Sequence, residues 1–255
     1  KAANDLFVDA QNMLSRIIDE HWLEAAAVVG LFPAHRVGDD VEIFVDTDQD
    51  TPSHRLHFLR QQMVKPSDRF NQCLADYIAP QGSGVQDFIG AFAVTAGLGI
   101  DDRVAAYERA NDDYNSIMLK ALADRLAEAM AELMHLKIRT AWWGYAPQEN
   151  LGIEELISEG YQGIGPAPGY PACPDHSEKT TLFDLLGVES RFGMKLTDSF
   201  AMLPAASVSG FYFSHPDAHY FAVAKVDRDQ VADYAERKGV SIADAERWLA
   251  PNLNY

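Results

Sequence analysis

The residues that most often do chemistry stand at unpromising spacings in this chain. His215 and His219 are four apart and Cys173 and His176 three apart. Pro216 works against the helix that would align an i, i+4 pair, and no third and fourth ligand follows at zinc spacing, so no metal site is expected. His54 and His57, beside Arg55 and Arg60, read as solvated histidines on a surface helix. Cys173 lies between Pro171 and Pro174, with Asp175 and His176 near. Neither a helix N-terminus nor a cation is at hand to lower its pKa, so it reads as a packed thiol and not a nucleophile. Gly163-Ile164-Gly165 is followed by prolines and not by a helix, which excludes a dinucleotide-binding turn. No catalytic side chain is expected.

The informative segment is residues 161–176, YQGIGPAPGYPACPDH, where four prolines alternate with glycines and aromatics. Each proline removes a backbone donor and fixes φ, so the segment can be neither helix interior nor central strand and should follow a stiff, polyproline-like path. Gly169 has no Cβ and lets the backbone come close to a bound molecule, and Tyr170 follows it as a flat, hydrogen-bonding surface. This is a binding loop.

Helices and strands must hold that loop. Leu6, Ala10, Met13, Leu14 and Ile17 keep helical spacing, so a helix begins almost at once, as though cut from a longer chain. Residues 25–32 and 41–45 read as two strands separated by Pro33 and a Gly38-Asp39-Asp40 turn, with a further strand at 88–94 and a weaker one at 73–78. From 103 to 139 there is no proline or glycine, and Ile117, Leu119, Leu122, Leu126, Met130, Leu133 and Leu136 repeat at helical period. One long amphipathic helix is expected, with Asp124 and Glu128 on its solvated acidic face. Residues 153–159 form a helix closed by Gly160, and 181–192 another. Three strand-like runs follow at 199–203, 207–213 and 220–226, then helices at 229–238 and 241–249, the last capped by Ser241. The pattern is α+β: a single domain with a twisted, largely antiparallel sheet flanked by helices, including one long central helix.

Composition narrows the partners. A net charge of −17, from 38 acidic and 21 basic residues, argues against a nucleic-acid partner, which needs a Lys/Arg surface. Cys73 and Cys173 are too few and too far apart for a disulfide framework, which suits a reducing compartment and a cytoplasmic protein. No run of about 18 apolar residues and no signal peptide is present, so no membrane partner is expected.

Gly-Tyr-Pro-Ala-Cys-Pro-Asp at 169–175 resembles the S-adenosylmethionine (AdoMet) signature of the activation domain of cobalamin-dependent methionine synthase. In that family's order stand Ala91-Phe92-Ala93-Val94-Thr95, Asp112-Asp113-Tyr114-Asn115, the run Lys120 to Glu128, Trp143-Gly144-Tyr145-Ala146-Pro147, Val208-Ser209-Gly210, Tyr212-Phe213-Ser214-His215-Pro216 and Trp248-Leu249-Ala250-Pro251-Asn252-Leu253. The resemblance spans nearly all of residues 1–255 and implies an N-terminally truncated fragment of a larger multidomain methyltransferase. It implies AdoMet contacts at Gly165, Ala167, Gly169, Tyr170, Tyr220 and Phe221, and docking of the cobalamin-binding domain near Asp124 and Glu128. Cobalamin is then held by that neighbouring domain, and flavodoxin or an equivalent reductase supplies the electron for reductive reactivation of cob(II)alamin. It also implies a further acidic ligand upstream of Lys1.

One position departs from the family pattern. Four residues before the Gly-Tyr pair the signature carries arginine, whose guanidinium suits the AdoMet carboxylate, and here stands Gly165. Losing a charge-assisted bond costs about 1.5–3 kcal/mol, or roughly 10- to 150-fold in Kd. The alternative reading is therefore a docking module for the cobalamin and reductase domains with impaired AdoMet binding.

Overall fold

The computed structural model describes residues 2–45 and 51–255. In chain order the elements are α1 (Ala2–Asp19), β1 (Glu24–Val37), β2 (Asp40–Ile43), β3 (His54–His57), β4 (Asp87–Leu98), α2 (Ile100–Arg109), α3 (Asp113–Lys137), α4 (Ile153–Ile157), α5 (Glu178–Leu186), α6 (Val188–Phe192), β5 (Lys195–Leu196), β6 (Met202–Leu203), β7 (Ser207–Tyr212), α7 (Arg228–Lys238) and α8 (Ile242–Trp248). Five strands form a curled antiparallel sheet in the order β3-β2-β1-β4-β7, and β5 pairs with β6 apart from it. Gly38, at φ 63°, turns β1 into β2 so that Val37 faces Asp40 and Ala34 faces Ile43. The expected α+β class and antiparallel sheet are present.

The chain divides into two compact units. The first comprises residues up to Val28, Ala93–Met134 and Gly187–Val208. Its core joins Met13 and Ile17 of α1, Trp22, and Met118 and Leu119 of α3. The guanidinium groups of Arg16 and Arg103 lie 4.5 and 4.6 Å from the centroid of the Trp22 ring, whose Nε1 donates to Glu20 at 2.7 Å. The second unit comprises Val29–Phe92, His135–Leu186 and Ser209–Tyr255. Here α5 and α7 lie against β3, α7 packs on α8, and Leu59, Val223, Val226, Val231, Tyr234 and Leu249 close the core. Phe58 meets Phe211 and Phe213 edge-on at 6.0 and 6.2 Å.

Several expected elements are corrected by side-chain chemistry that periodicity does not register. The run 103–139 is two helices. Asn111 takes a left-handed conformation (φ 54°), and Asp112 then accepts the Asn115 N–H at 3.1 Å, capping α3. Beyond Lys137 the helix widens into a π-turn, Ile138–Trp142. Residues 181–192 are split by Gly187 (φ 58°), and Glu159, not Gly160, is the left-handed residue after α4. Residues 73–78 are a 3-10 turn, because the Asp76 carboxylate accepts the Cys73 N–H at 3.0 Å. His54 and His57 belong to strand β3, where Leu56 faces the core between them. β1 runs on through Pro33, whose carbonyl accepts the Phe44 N–H. Of 199–203 only two residues are strand, because Phe200 is left-handed (φ 62°). Residues 220–226 form no strand: Ala224 is left-handed, and Val226 makes only an isolated bridge to Leu253. Ser241 caps α8 as expected, accepting the Asp244 N–H at 3.1 Å.

The apolar stripe of α3 is also narrower than its period suggests. Leu119 is wholly buried, with Ala123 and Ala127 below it, whereas Ile117 is 66% exposed. Leu119→Ala is expected to lower unfolding free energy by about 2–5 kcal/mol, and Ile117→Ala by less than about 0.5 kcal/mol, as read by urea denaturation.

Candidate functional site

The proline-rich loop is tied to the end of β7 by its backbone. Ile164 and Phe213 exchange N–H···O bonds at 3.0 Å each, the Phe211 N–H donates to Pro166 O at 2.9 Å, and Gln162 Nε2 donates to Ser214 O at 2.8 Å. Gly163 (φ 81°) permits this approach, since a Cβ there would strike Phe213 O and lie 2.8 Å from the Tyr145 hydroxyl. Further on the chain reverses tightly. Gly169, at φ 96°, donates to Cys173 O at 2.7 Å, Tyr170 N–H donates to Ala167 O at 3.2 Å, and Cys173 N–H donates to Tyr170 O at 2.9 Å. The reversal leaves the Tyr170 ring 66% exposed and places the His176 ring where a side chain on Gly169 would go.

Residues 220–226 meet the loop although they are not a strand. The Gly165 N–H donates to the Tyr220 hydroxyl at 2.8 Å, and the Val223 N–H donates to Pro171 O at 2.8 Å. Gly165 and Tyr220 are thus in direct contact, with Tyr220 37% exposed. Phe221 is partly buried against the core around Val223 and Tyr234. Asp124 and Glu128 belong to the other unit, exposed on α3. Glu128 accepts from Arg125 at 2.6 Å, and Asp124 lines a cavity of about 720 Å³ with Lys120, Lys195 and Gly99.

Beneath Gly165 lies a support that the sequence reading missed. His135 stacks on Tyr212 (5.1 Å, 14°), Tyr212 stacks on Phe92 (4.6 Å, 17°), and Tyr161 meets His135 edge-on at 5.0 Å. Arg139, in the π-turn, covers the Tyr161 ring at 4.3 Å and grips Glu149 through two hydrogen bonds of 2.8 and 2.7 Å. Burial opposes its charge, but Glu149 outweighs burial and keeps the guanidinium ionised. The available signal was His135 and Arg139 four apart at the end of the long helix.

Glycine at 165 is not imposed by the backbone. Its φ lies outside the left-handed region, and a Cβ there would make ordinary contacts, 3.5 Å from Tyr212 and 3.7 Å from His135 Cε1. The remaining candidates are quiescent. Burial pushes the Cys173 thiol well above its usual range, as a packed thiol requires. His215 lies beside Tyr77, and His219 contacts Gln72 at 2.6 Å and Asp217 O at 3.0 Å. Among the described residues no helix is long and apolar enough to cross a membrane.

The family model for the vitamin B12 dependent methionine synthase activation domain matches residues 1–239. The chain belongs to this family. A crystal structure of the MetH reactivation domain bound to AdoHcy is similar to it throughout, with 59% sequence identity and a TM-score of 0.96 over 100% of this chain and 78% of that one.

Two measurements probe this activation-domain site. Gly163→Ala is expected to cost about 1–3 kcal/mol of stability from forced left-handed backbone and a collision, whereas Gly165→Ala should change stability by less than about 0.5 kcal/mol. His135 is 5% exposed, and burial, aided by the Arg139 cation, lowers its pKa from 6.5 to about 3. The unfolded chain therefore takes up a proton below pH 6.5 that the folded chain refuses until about pH 3. The His135 contribution to stability should be complete above pH 6.5 and fall by about 1.4 kcal/mol per pH unit between there and about pH 3. In urea titrations at pH 7 and pH 5, His135→Phe should reduce the difference between the two by about 2 kcal/mol.

Proposed function

We propose that this chain binds AdoMet through the 165–170 loop and Tyr220 and presents its methyl group for the reductive methylation of cob(II)alamin held by a neighbouring domain of the same enzyme, with the electron coming from flavodoxin or an equivalent reductase. The observation that carries the reading is the 2.8 Å hydrogen bond from Gly165 N–H to the Tyr220 hydroxyl, which unites the proline-rich loop with the aromatic segment. Family membership supports it, as does the AdoHcy in the similar reactivation-domain crystal structure.

The residues present fit an adenosyl sulfonium. When bound, AdoMet supplies a methyl group on positively charged sulfur, and the corrin metal of the partner domain is the acceptor. The protein's part is orientation. An exposed Tyr170 ring and a partly exposed Tyr220 ring offer faces that favour a cation by about 0.5–2 kcal/mol. The bonds to Phe211 and Phe213 fix the loop backbone from behind. Cys173 is buried and unsuited to nucleophilic attack, so no covalent step on the protein is required. Asp124 and Glu128, exposed on α3, present an acidic face for the cobalamin-binding domain.

Gly165 favours a second reading, a docking module with weak AdoMet affinity, because no guanidinium stands at that position. Calorimetry decides between them. AdoMet should bind the parent, Tyr170→Ala should weaken it about 2- to 30-fold, and Gly165→Arg should tighten it about 10- to 150-fold. If both the parent and Gly165→Arg release no heat with AdoMet or AdoHcy, AdoMet binding is refuted; a silent parent with a responsive Gly165→Arg establishes the docking module.

A further inference from the structure

The loop is followed by buried charges that its own chemistry does not require. Asp175 and Glu178 are buried carboxylates, and the mostly buried Lys238 ammonium contacts both, Asp175 at 3.1 Å and Glu178 in a short ion pair. Tyr234, wholly buried on α7, donates its hydroxyl hydrogen to Asp175 at 2.6 Å and accepts from Lys238 at 3.3 Å. Asp175 also accepts from Ser177 N–H and Oγ–H, both at 2.7 Å, and the His57 N–H donates to Glu178 at 3.3 Å. Four donor groups thus converge on one loop carboxylate. Burial alone would raise the Asp175 pKa, but Lys238, Tyr234 and Ser177 outweigh it and keep it below the usual range. At Glu178 burial wins and its pKa is raised.

Asp175 is continuous with the residue that shapes the binding turn. His176 follows it, and the His176 ring fills the space beside Gly169 that a side chain would need. Lys179 Nζ lies 2.8 Å from His176 Nδ1, which fixes the ring's direction. Gly169 in turn bonds to Cys173 O and delivers Tyr170 to the surface. A displacement of Asp175 therefore passes through the His176 ring to Gly169 and Tyr170.

We propose that Tyr234 and Lys238 are positioning residues for the AdoMet loop: by clamping Asp175 from α7 they set, through the His176 ring, where Gly169 and Tyr170 stand. This rests on the binding reading above, but it concerns loop geometry and is testable without ligand. Lys238 suits the role. It lies in the last turn of α7, where the helix dipole favours a cation, and its Nζ is 5.4 Å from the Tyr234 ring centre and 5.7 Å from that of Trp248. Glu178 pairs with the same ammonium, so that Asp175 meets a cation already held by a second carboxylate.

Hydrogen exchange on the ligand-free chain, read by mass spectrometry, tests this. Tyr234→Phe removes one oxygen and keeps the ring, so amides of residues 165–176 should exchange about tenfold faster or more, while those of α7 and α8 stay unchanged. Lys238→Met/Glu178→Gln, which removes the cation together with one carboxylate, should do the same, and Lys238→Arg should retain slow exchange. Unchanged loop exchange in both the Tyr234→Phe and the double variant, or an equal rise in α7 and α8, overturns the proposal. AdoHcy calorimetry separates the two levels. If the parent binds, Tyr234→Phe should lose affinity by a factor close to its gain in loop exchange, and unaltered affinity overturns the link to the site. A parent that takes up no AdoHcy sinks the binding function, and the exchange result alone then decides the clamp.

Discussion

Three backbone hydrogen bonds between residues 164–166 and the end of β7 are the constraint on which the candidate site depends. Prolines make this attachment selective. Pro166 has no N–H to contribute, but its carbonyl accepts from Phe211, while Ile164 both donates to and accepts from Phe213. The segment thus gains strand-like pairing at two residues and is released from it immediately afterwards. Gly163 is needed at the point of closest approach, and from there the chain is free to turn at Gly169 and leave Tyr170 at the surface. A net value of about 0.5–1.5 kcal/mol per bond is modest. Their geometric effect is larger, because every later residue of the loop is referred to β7.

Side-chain stacking supplies the second fixed reference. The rings of Phe92, Tyr212 and His135 lie nearly parallel, and a neutral imidazole completes that stack without bringing a charge into the interior. Arg139 does bring a charge, but shares it with Glu149 through two hydrogen bonds and with the Tyr161 face. Buried charge is thus paired, as the desolvation penalty demands. This rigid floor explains why position 165 is open to other residues while position 163 is not. The former looks onto flat rings at van der Waals distance, and the latter onto a carbonyl oxygen inside contact range.

Much of this was legible in the residues. Proline and glycine punctuation marked the loop, Ser241 marked the start of α8, and β-branched and aromatic runs marked β4 and β7. What failed did so for physical reasons. The break between α2 and α3 depends on Asn111 accepting a left-handed backbone and Asp112 folding back as a cap, both invisible to apolar periodicity. The charged neighbours of His54 and His57 resemble a solvated helical face, yet alternation about Leu56 is what a two-sided strand needs. Tyr220 was expected on a strand, and its neighbours have strand-like residue types, but Ala224 reverses the backbone and Val223 bonds to Pro171 instead. His135 and Arg139 escaped notice because their roles are fixed by ring contacts between distant segments.

Pro166, Pro168 and Pro171 have a further effect where they lie. β7 is the last strand of the five, and an outermost strand is an invitation for another chain to add itself by backbone pairing. The loop already occupies the Phe211 N–H and both pairing groups of Phe213, and beyond them it is interrupted by residues that have no amide hydrogen to offer. The same chemistry that stiffens the proline-rich ribbon therefore covers the end of this edge strand, at Phe211 and Phe213, where another chain could otherwise pair.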